Sequence, residues 1–304
     1  MDRYEALKET LSRTCPDMIL REQEPMWRHT TFEIGGPVRL MAVPADEREL
    51  QMTLRAAHQH DIEPFILGNG SNLLCQDEPI DRFVVKTTGA LTKLAVLPGD
   101  VVLCGAGVAM PQLAAFAMQN GLTGLEFLSG IPGTLGGGIM MNAGAYSGEV
   151  KDVLIESRYL TFDGQPGILK GEDQELDYRH SYYKDKPLLI TTGLLQLQKG
   201  DKREIMLRMN ELKMRRMSKQ PLDFPSAGST FKRPAQGYAA ALIDRCGLKG
   251  LTVGGAQVST KHAGFIVNKG DATCADVLEL VKRVQNAVRM GSGVELEMEV
   301  RRLP

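Results

Sequence analysis

The feature that most limits what this chain can build is Leu128-Ser129-Gly130-Ile131-Pro132-Gly133-Thr134-Leu135-Gly136-Gly137-Gly138, which runs on into Met141-Asn142-Ala143-Gly144-Ala145-Tyr146. Five glycines and a proline in the first eleven of these residues give almost no side-chain volume to a core. They do allow bare backbone N–H groups to approach an anionic ligand with no Cβ in the way. Apolar residues surround them (Leu125, Phe127, Leu128, Ile131, Leu135, Ile139, Met140). The stretch therefore reads as a buried cradle for a large cofactor carrying a pyrophosphate. The competing reading is a glycine-rich connection between strands.

With 304 residues the chain has room for two or three domains. A formal net charge of -1 argues against a nucleic-acid partner, which calls for a basic surface. The local basic run Lys213-Met214-Arg215-Arg216-Met217-Ser218-Lys219 suits an anionic small molecule as readily as a partner protein. Five scattered cysteines, with no pair at metal-ligand or redox spacing, suggest neither a disulfide framework nor a zinc site. The segment from Met1 to Arg13 has no apolar signal core, and no apolar run approaches the roughly 20 residues of a membrane span. A cytoplasmic location and no metal are expected.

Periodicity predicts alternating elements. Tyr4, Leu7 and Leu11 mark a short amphipathic helix. Val38–Val43 reads as a strand, and Asp46 is placed to cap a helix with the stripe Leu50, Leu54 and Ala57. Strands follow over 63–67, 82–87 and 101–104, then a helix over 111–120 with proline in its first turn. Further strands are predicted over 153–162 and 188–198, and a helix over 203–217. The last third carries helices over 238–246 and 275–290 and strands over 265–268 and 294–303.

Two turns imitate a dinucleotide fingerprint and fail it. Gly68-Asn69-Gly70 reaches Leu73 at the sixth position, and Gly105-Ala106-Gly107 reaches Met110, where close helix–strand packing needs a third glycine. A cofactor held across several loops by backbone amides fits better. Three other clusters carry chemistry. Arg179, within Tyr178-Arg179-His180-Ser181-Tyr182-Tyr183, offers a planar fork suited to a carboxylate, though a solvated loop with aromatic packing would look alike. Ser229, within Ala227-Gly228-Ser229-Thr230-Phe231-Lys232, stands between small residues. No hydrolase elbow surrounds it, so a proton donor or binding group fits better than an acyl-enzyme nucleophile, and a turn serine is the plain alternative. Along 294–301, apolar residues alternate with Glu295, Glu297, Glu299 and Arg301. Such a face ordinarily meets water; facing a cleft, its crowded carboxylates would keep a proton available near neutral pH.

Taken in order, these blocks resemble the UDP-N-acetylenolpyruvoylglucosamine reductases, bacterial flavoenzymes of cell-wall synthesis. The resemblance runs from Thr30-Thr31-Phe32-Glu33-Ile34-Gly35-Gly36-Pro37 to Glu297-Met298-Glu299-Val300. It implies an α+β chain: an FAD-binding fold of the vanillyl-alcohol-oxidase/PCMH type with two α+β subdomains (1–66 and 67–200). A C-terminal α+β substrate-binding domain (201–304) follows, its last residues being candidates to return to the first subdomain.

The resemblance further implies non-covalent FAD held by Gly68, Asn69, Gly70, Ser71, Asn72, Leu73, Ser129, Gly130, Ile131, Pro132, Gly133, Thr134, Gly136, Gly137, Asn142, Ala143 and Gly144. NADPH is implied as reductant and UDP-N-acetylglucosamine-enolpyruvate as substrate. Arg179, Ser229 and Glu299 match the family's catalytic positions. Tyr178, Lys219, Lys232, His262 and Arg301 match positions around the substrate. Lys219 and Lys232 are candidates to assist the Ser229 hydroxyl. The spacing between Arg179 and Ser229 suits the shorter subclass, which lacks an extra tyrosine-bearing loop, and His29 stands where many relatives carry Asn. Two rivals are an oxidase on the same cofactor fold and a non-catalytic flavin or nucleotide binder. The absence of an obvious His or Cys for covalent flavin attachment disfavours the first, and the presence of Arg179, Ser229 and Glu299 the second.

Overall fold

A computed structural model of the chain describes residues 2–304, so that Met1, the first residue of the opening segment read above, lies outside them. The chain divides into two compact units. The first takes in residues up to Glu22, Leu40–Asn69 and Arg82–Arg215; the second takes in Gln23–Arg39, Gly70–Asp81 and Arg216–Pro304.

The first unit begins with helix α1 (Arg3–Thr14), started by the Asp2 carboxylate accepting from the Tyr4 amide. Its buried face is Tyr4, Leu7 and Leu11, the expected stripe, and each such side chain contributes about 2 kcal/mol on removal from water. Strands β1 (Ile19–Pro25) and β2 (Pro37–Val43) come next. Helix α2 (Glu47–Gln59) then starts where Asp46 accepts from the Glu49 amide at 2.8 Å and buries Leu50, Leu54 and Ala57. Strand β3 (Pro64–Leu67) follows, then the short β4 (Leu73–Cys75), which belongs to the second unit, and β5 (Ile80–Lys86). The sheet order is β1-β2-β5-β3, with β3 and β5 parallel from Pro64↔Phe83 to Leu67↔Lys86.

A five-stranded sheet lies entirely within the first unit. Strands β6 (Leu94–Leu97) and β7 (Val101–Gly105) pair antiparallel. Beside β7 lies the strand Leu188–Gln196, then Leu154–Thr161, then Pro166–Lys170, each pair antiparallel. Helix α3 (Met110–Gln119) carries Pro111 in its first turn and is capped at its end by Asn120, with Gly121 at φ +67°. Of these, β1, β6 and Pro166–Lys170 have no counterpart in the periodicity reading, because their burial does not alternate cleanly or they are largely exposed.

The glycine stretch contains a helix that composition argues against, α4 (Leu135–Met140). Glycine disfavours helices because it loses the most backbone freedom. Here packing overrides that preference. A Cβ on Gly138 would lie 2.8 Å from Met110 Sδ, and one on Gly136 would lie 3.0 Å from the Ala106 Cβ. The strand residue Gly193 makes the matching room, since a Cβ there would meet Leu135 and Leu154 at 3.1 Å.

In the second unit, helix α7 (Cys274–Ser292) is closed at its start by a capping box between Thr273 and Asp276 and at its end by Gly293 at φ +70°. It buries Val277, Val281, Val284 and Val288 against Phe231, Leu242, Ile243, Val258 and Ile266. Helix α6 (Ala239–Arg245) and a three-stranded antiparallel sheet ending in Ile266–Asn268 complete that core. The strand read over 294–303 shrinks to Arg301–Leu303, which pairs parallel with β4. Residues 294–300 keep the expected in–out burial but form only single bridges, as at Met298↔Phe231. The alternation reflected a half-buried extended segment and not a ladder. Helix α5 (Lys202–Lys219) links the two units along the chain.

Candidate active site

In the first unit, the exit of β3 lies against the glycine stretch. Asn69 Nδ2 donates to the Pro132 carbonyl at 2.9 Å, and a Cβ on Gly68 would meet Thr134 Oγ1 at 2.6 Å. The strand-to-turn sequence thus has to be glycine where Thr134 caps α4. Not every amide of the stretch is left bare. Leu135 and Gly136 donate to the carbonyls of Val108 and Ala106, Gly138 donates to Thr134, and Gly137 to Thr134 Oγ1 at 3.4 Å. Gly133 and Thr134 differ: both are buried, and no acceptor among the described residues takes a hydrogen bond from either amide. A buried N–H without a partner is costly, so these two amides are donors awaiting an acceptor. Gly137 is exposed, and a Cβ there would touch only Thr134 Oγ1 at 3.8 Å. Two orphan donors beside an open glycine face fit a pyrophosphate-bearing group.

The remaining members of the stretch are engaged internally. Ser129 Oγ donates to the Glu126 carbonyl, Ile131 N to Leu128, and Ala143 N to Gly138. Gly144 is required by close approach, because a Cβ would lie 2.8 Å from Glu149 Cγ. Asn142, buried at φ +40°, donates from Nδ2 to Glu149 Oε2 and to the Asp177 carbonyl. Arg179 sits in a tight turn in the same unit, its guanidinium carbon 5.0 Å from the centre of the Tyr178 ring.

In the second unit, the short extended segment Ser229–Phe231 is the organising piece. On one side Ser229 bridges Phe265, and the Thr230 amide donates to the Gly264 carbonyl at 2.8 Å. On the other side Glu299 N donates to the Thr230 carbonyl at 2.8 Å, and Lys232 N to the Glu297 carbonyl at 2.8 Å. Ser229 and Glu299 therefore stand on adjacent backbone segments, with Ser229 exposed and Glu299 half-buried. Asn72 ties the turn after β3 to the same place, donating from Nδ2 to the Glu299 carbonyl at 3.3 Å while its own carbonyl accepts from the Arg301 amide. Leu73 pairs with Arg301 in the parallel ladder. Gly70, at φ +60°, allows the chain to turn flush against His29, whose carbonyl a Cβ would meet at 2.1 Å.

Of the residues predicted around the substrate, Lys232 is ion-paired with Glu297. Lys219 is exposed at the end of α5, near enough to His262 to act on its charge. His262 accepts from the Gly264 amide at Nδ1 (3.2 Å) and stacks edge-on to Phe265 at 5.0 Å. Burial pushes its imidazole below the usual range, opposed by its own backbone hydrogen bond and aided by the positive charges of Lys249 and Lys219. It is held neutral beside the Ser229 segment. All five cysteines are free. Burial raises Cys75 to about 12 and Cys274 to about 11, which denies both a thiolate role. Among the described residues no cluster of three His, Cys, Asp or Glu is placed to hold a metal, and no helix is long and apolar enough to cross a membrane. The periodicity reading missed the roles of Asn142 and Ser181, because a single polar residue in a loop carries no pattern that announces a contact more than 30 residues away.

The chain is an α+β flavoprotein with an FAD-binding domain. Residues 38–166 match the family described as FAD binding domain, and residues 220–303 the family described as UDP-N-acetylenolpyruvoylglucosamine reductase, C-terminal domain. The chain is 44% identical over 286 residues to a UDP-N-acetylenolpyruvoylglucosamine reductase of Syntrophomonas wolfei, covering 94% of this chain and 95% of the relative. It is 43% identical to that of Caldanaerobacter subterraneus, covering 98% of each. The crystal structure of the Thermus caldophilus reductase superposes with a TM-score of 0.81 at 36% identity, covering 94% of this chain and 100% of that one. The chain belongs to the UDP-N-acetylenolpyruvoylglucosamine reductase family and is an oxidoreductase with FAD as cofactor.

Proposed function

We propose that the protein reduces the enolpyruvyl ether of UDP-N-acetylglucosamine-enolpyruvate to the lactyl ether, using NADPH, in the cytoplasm. The observation that carries the reading is the pairing of the Ser229–Phe231 segment with Glu297–Glu299, which sets a hydroxyl and a carboxyl on neighbouring strands of backbone. The unpaired amides of Gly133 and Thr134 are the donors we assign to the cofactor pyrophosphate, with Gly68, Asn69 and Gly137 shaping the space around them.

Bound FAD supplies the hydride, acquired from NADPH, that the terminal methylene carbon of the substrate receives. Negative charge then grows on the α-carbon and its carboxylate. Arg179 answers it with a delocalised cation whose two parallel donors match a carboxylate, a shape that an ammonium lacks. Ser229 gives its proton to the α-carbon, so that the C=C bond becomes CH3–CH with one hydride and one proton added. A serine hydroxyl is a weak acid, and the charge developing near it is stabilised best by fixed dipoles and charges already in place. Glu299, on the adjoining segment, shares that task. Of the two lysines considered as assistants, Lys219 is the better candidate, because Lys232 is paired with Glu297. Neutral His262 borders the same segment as a hydrogen-bonding group for the substrate.

Anaerobic stopped-flow mixing tests the reading. The purified protein should be yellow, bleach with NADPH and recover on adding the enolpyruvyl sugar nucleotide. Ser229→Ala should leave flavin reduction within about twofold of wild type and slow re-oxidation by about 10²–10⁴-fold, the range of a lost general acid. Equal losses in both half-reactions would refute the proton-donor assignment, and a colourless, FAD-indifferent protein would refute the whole.

A further inference from the structure

Arg179 occupies a backbone position suited to glycine. Asp177 and His180 exchange both backbone hydrogen bonds, at 3.2 and 3.0 Å, closing a four-residue turn in which Arg179 has φ +54°. A turn with positive φ at its third residue ordinarily takes Gly or Asn there. A residue with a Cβ persists in such a conformation only when its surroundings over-determine it.

Two side chains do so, one on each flank. Before Arg179, Asn142 Nδ2 donates to the Asp177 carbonyl at 3.2 Å. After it, Ser181 Oγ donates to the Met140 carbonyl at 2.9 Å. Both side chains are buried, each only 1% exposed. Asn142 is itself fixed, since Nδ2 also reaches Glu149 Oε2 at 2.9 Å and Oδ1 accepts from the Lys151 amide at 2.9 Å. Met140 ends α4 and Asn142 lies just beyond it, so both attachments come from the chain leaving the glycine-rich helix. The far side is anchored too. Tyr182 N donates to the carbonyl of buried Gln174, whose Oε1 accepts from Ser157 Oγ at 2.6 Å.

We propose that Asn142 and Ser181 are positioning residues, which brace the Arg179 turn against the end of α4 and give its guanidinium one fixed orientation. The proposal rests on the reading above that Arg179 meets the substrate carboxylate. It deepens that reading by linking the cofactor-cradling segment mechanically to the substrate-facing cation. Misplacing such a group by about 1 Å costs up to about 10²-fold in rate.

The test uses Ser181→Ala and Asn142→Gly in the FAD-loaded enzyme; glycine at 142 keeps the left-handed backbone while removing the side chain. Each should slow flavin re-oxidation by the enolpyruvyl substrate about tenfold, and in Ser181→Ala, which lies outside the residues assigned to the cofactor, FAD retention and flavin reduction by NADPH should stay within about twofold. In an Arg179→Ala background neither should slow re-oxidation further, because the group being positioned is gone. Equal loss in both half-reactions, or the same slowing with Arg179 absent, overturns the proposal. Hydrogen exchange read at residues 177–181 addresses the brace without substrate: about tenfold faster exchange in either variant is expected, on the reasoning that a local opening has lost one hydrogen bond. Unchanged exchange overturns the brace whatever the turnover. Faster exchange in a wild-type background that never reduces the enolpyruvyl substrate would sustain the brace and sink the functional reading instead.

Discussion

Two adjacent glycines of α4 should respond in opposite directions to the same substitution. Gly136 and Gly137 both have helical backbone, where alanine is intrinsically better by about 0.5–1 kcal/mol. At Gly136 the new Cβ would stand 3.0 Å from the Ala106 Cβ and 3.2 Å from the Ala106 carbonyl oxygen, the acceptor of the Gly136 amide. Both distances are inside ordinary contact, and overpacking of this kind costs about 1–3 kcal/mol, so Gly136→Ala should lose about 1 kcal/mol net. At Gly137 the nearest atom, Thr134 Oγ1, is 3.8 Å away, which is ordinary contact. Without cofactor, Gly137→Ala should therefore be at least as stable as wild type, with a melting temperature about 1–2 °C higher for a gain of about 0.5 kcal/mol. Its methyl group nevertheless enters the open face beside the unpaired Gly133 and Thr134 amides. FAD affinity should fall at least about tenfold, equivalent to about 1.4 kcal/mol. Calorimetry of the apoprotein and titration of flavin fluorescence read the two quantities separately. If Gly137→Ala bound FAD within about twofold of wild type, the open face would not be the cradle, and the assignment of the two amides to the pyrophosphate would fall with it.

Arg179→Lys keeps the Cβ and the backbone demand of the turn, so thermal stability should change by less than about 0.5 kcal/mol. Re-oxidation by the enolpyruvyl substrate should nevertheless drop by about 10²-fold for want of the planar fork; a lysine variant of near wild-type rate would remove the bidentate argument. His262 supplies a pH signature. Its imidazole is held below the unfolded value of 6.5 by burial, so below that pH the unfolded chain takes up a proton that the folded one resists. Stability from this residue is complete above about 6.5 and is lost as pH falls toward the folded pKa. Melting curves between pH 8 and 5 should therefore decline less steeply for His262→Gln than for wild type, and identical slopes would disprove the burial argument.

Much of the first unit was legible because its signals are local. The Asp46 cap, the stripes Leu7–Leu11 and Leu50–Leu54–Ala57, and Pro111 in the first turn of α3 each depend on residues within four or so positions of one another. The chemistry-bearing blocks were legible for a different reason: glycine, arginine and serine in a fixed order are informative as composition, even with no geometry attached. Helix α4 was hidden because the decisive contacts come from Ala106, Met110 and Gly193, outside any local window. The 294–303 segment reads as a full strand from sequence because burial alternates along any extended half-buried chain, whether or not a neighbour completes the ladder.

By itself the sequence determined which segments would coil or extend, which residues could carry charge or protons, and the family to which their order belongs. Only the tertiary structure decided which amides of the glycine stretch are already spent on Ala106 and Val108 and which remain as donors. It alone joined Asn142 to Asp177 and Ser181 to Met140, on the two sides of Arg179, and laid the Ser229 segment beside Glu299, 70 positions further along the chain. The reason is physical: a periodicity reports one element's preference for one face, whereas a hydrogen bond between distant residues depends on how whole elements settle against each other, and no short stretch of chain encodes that.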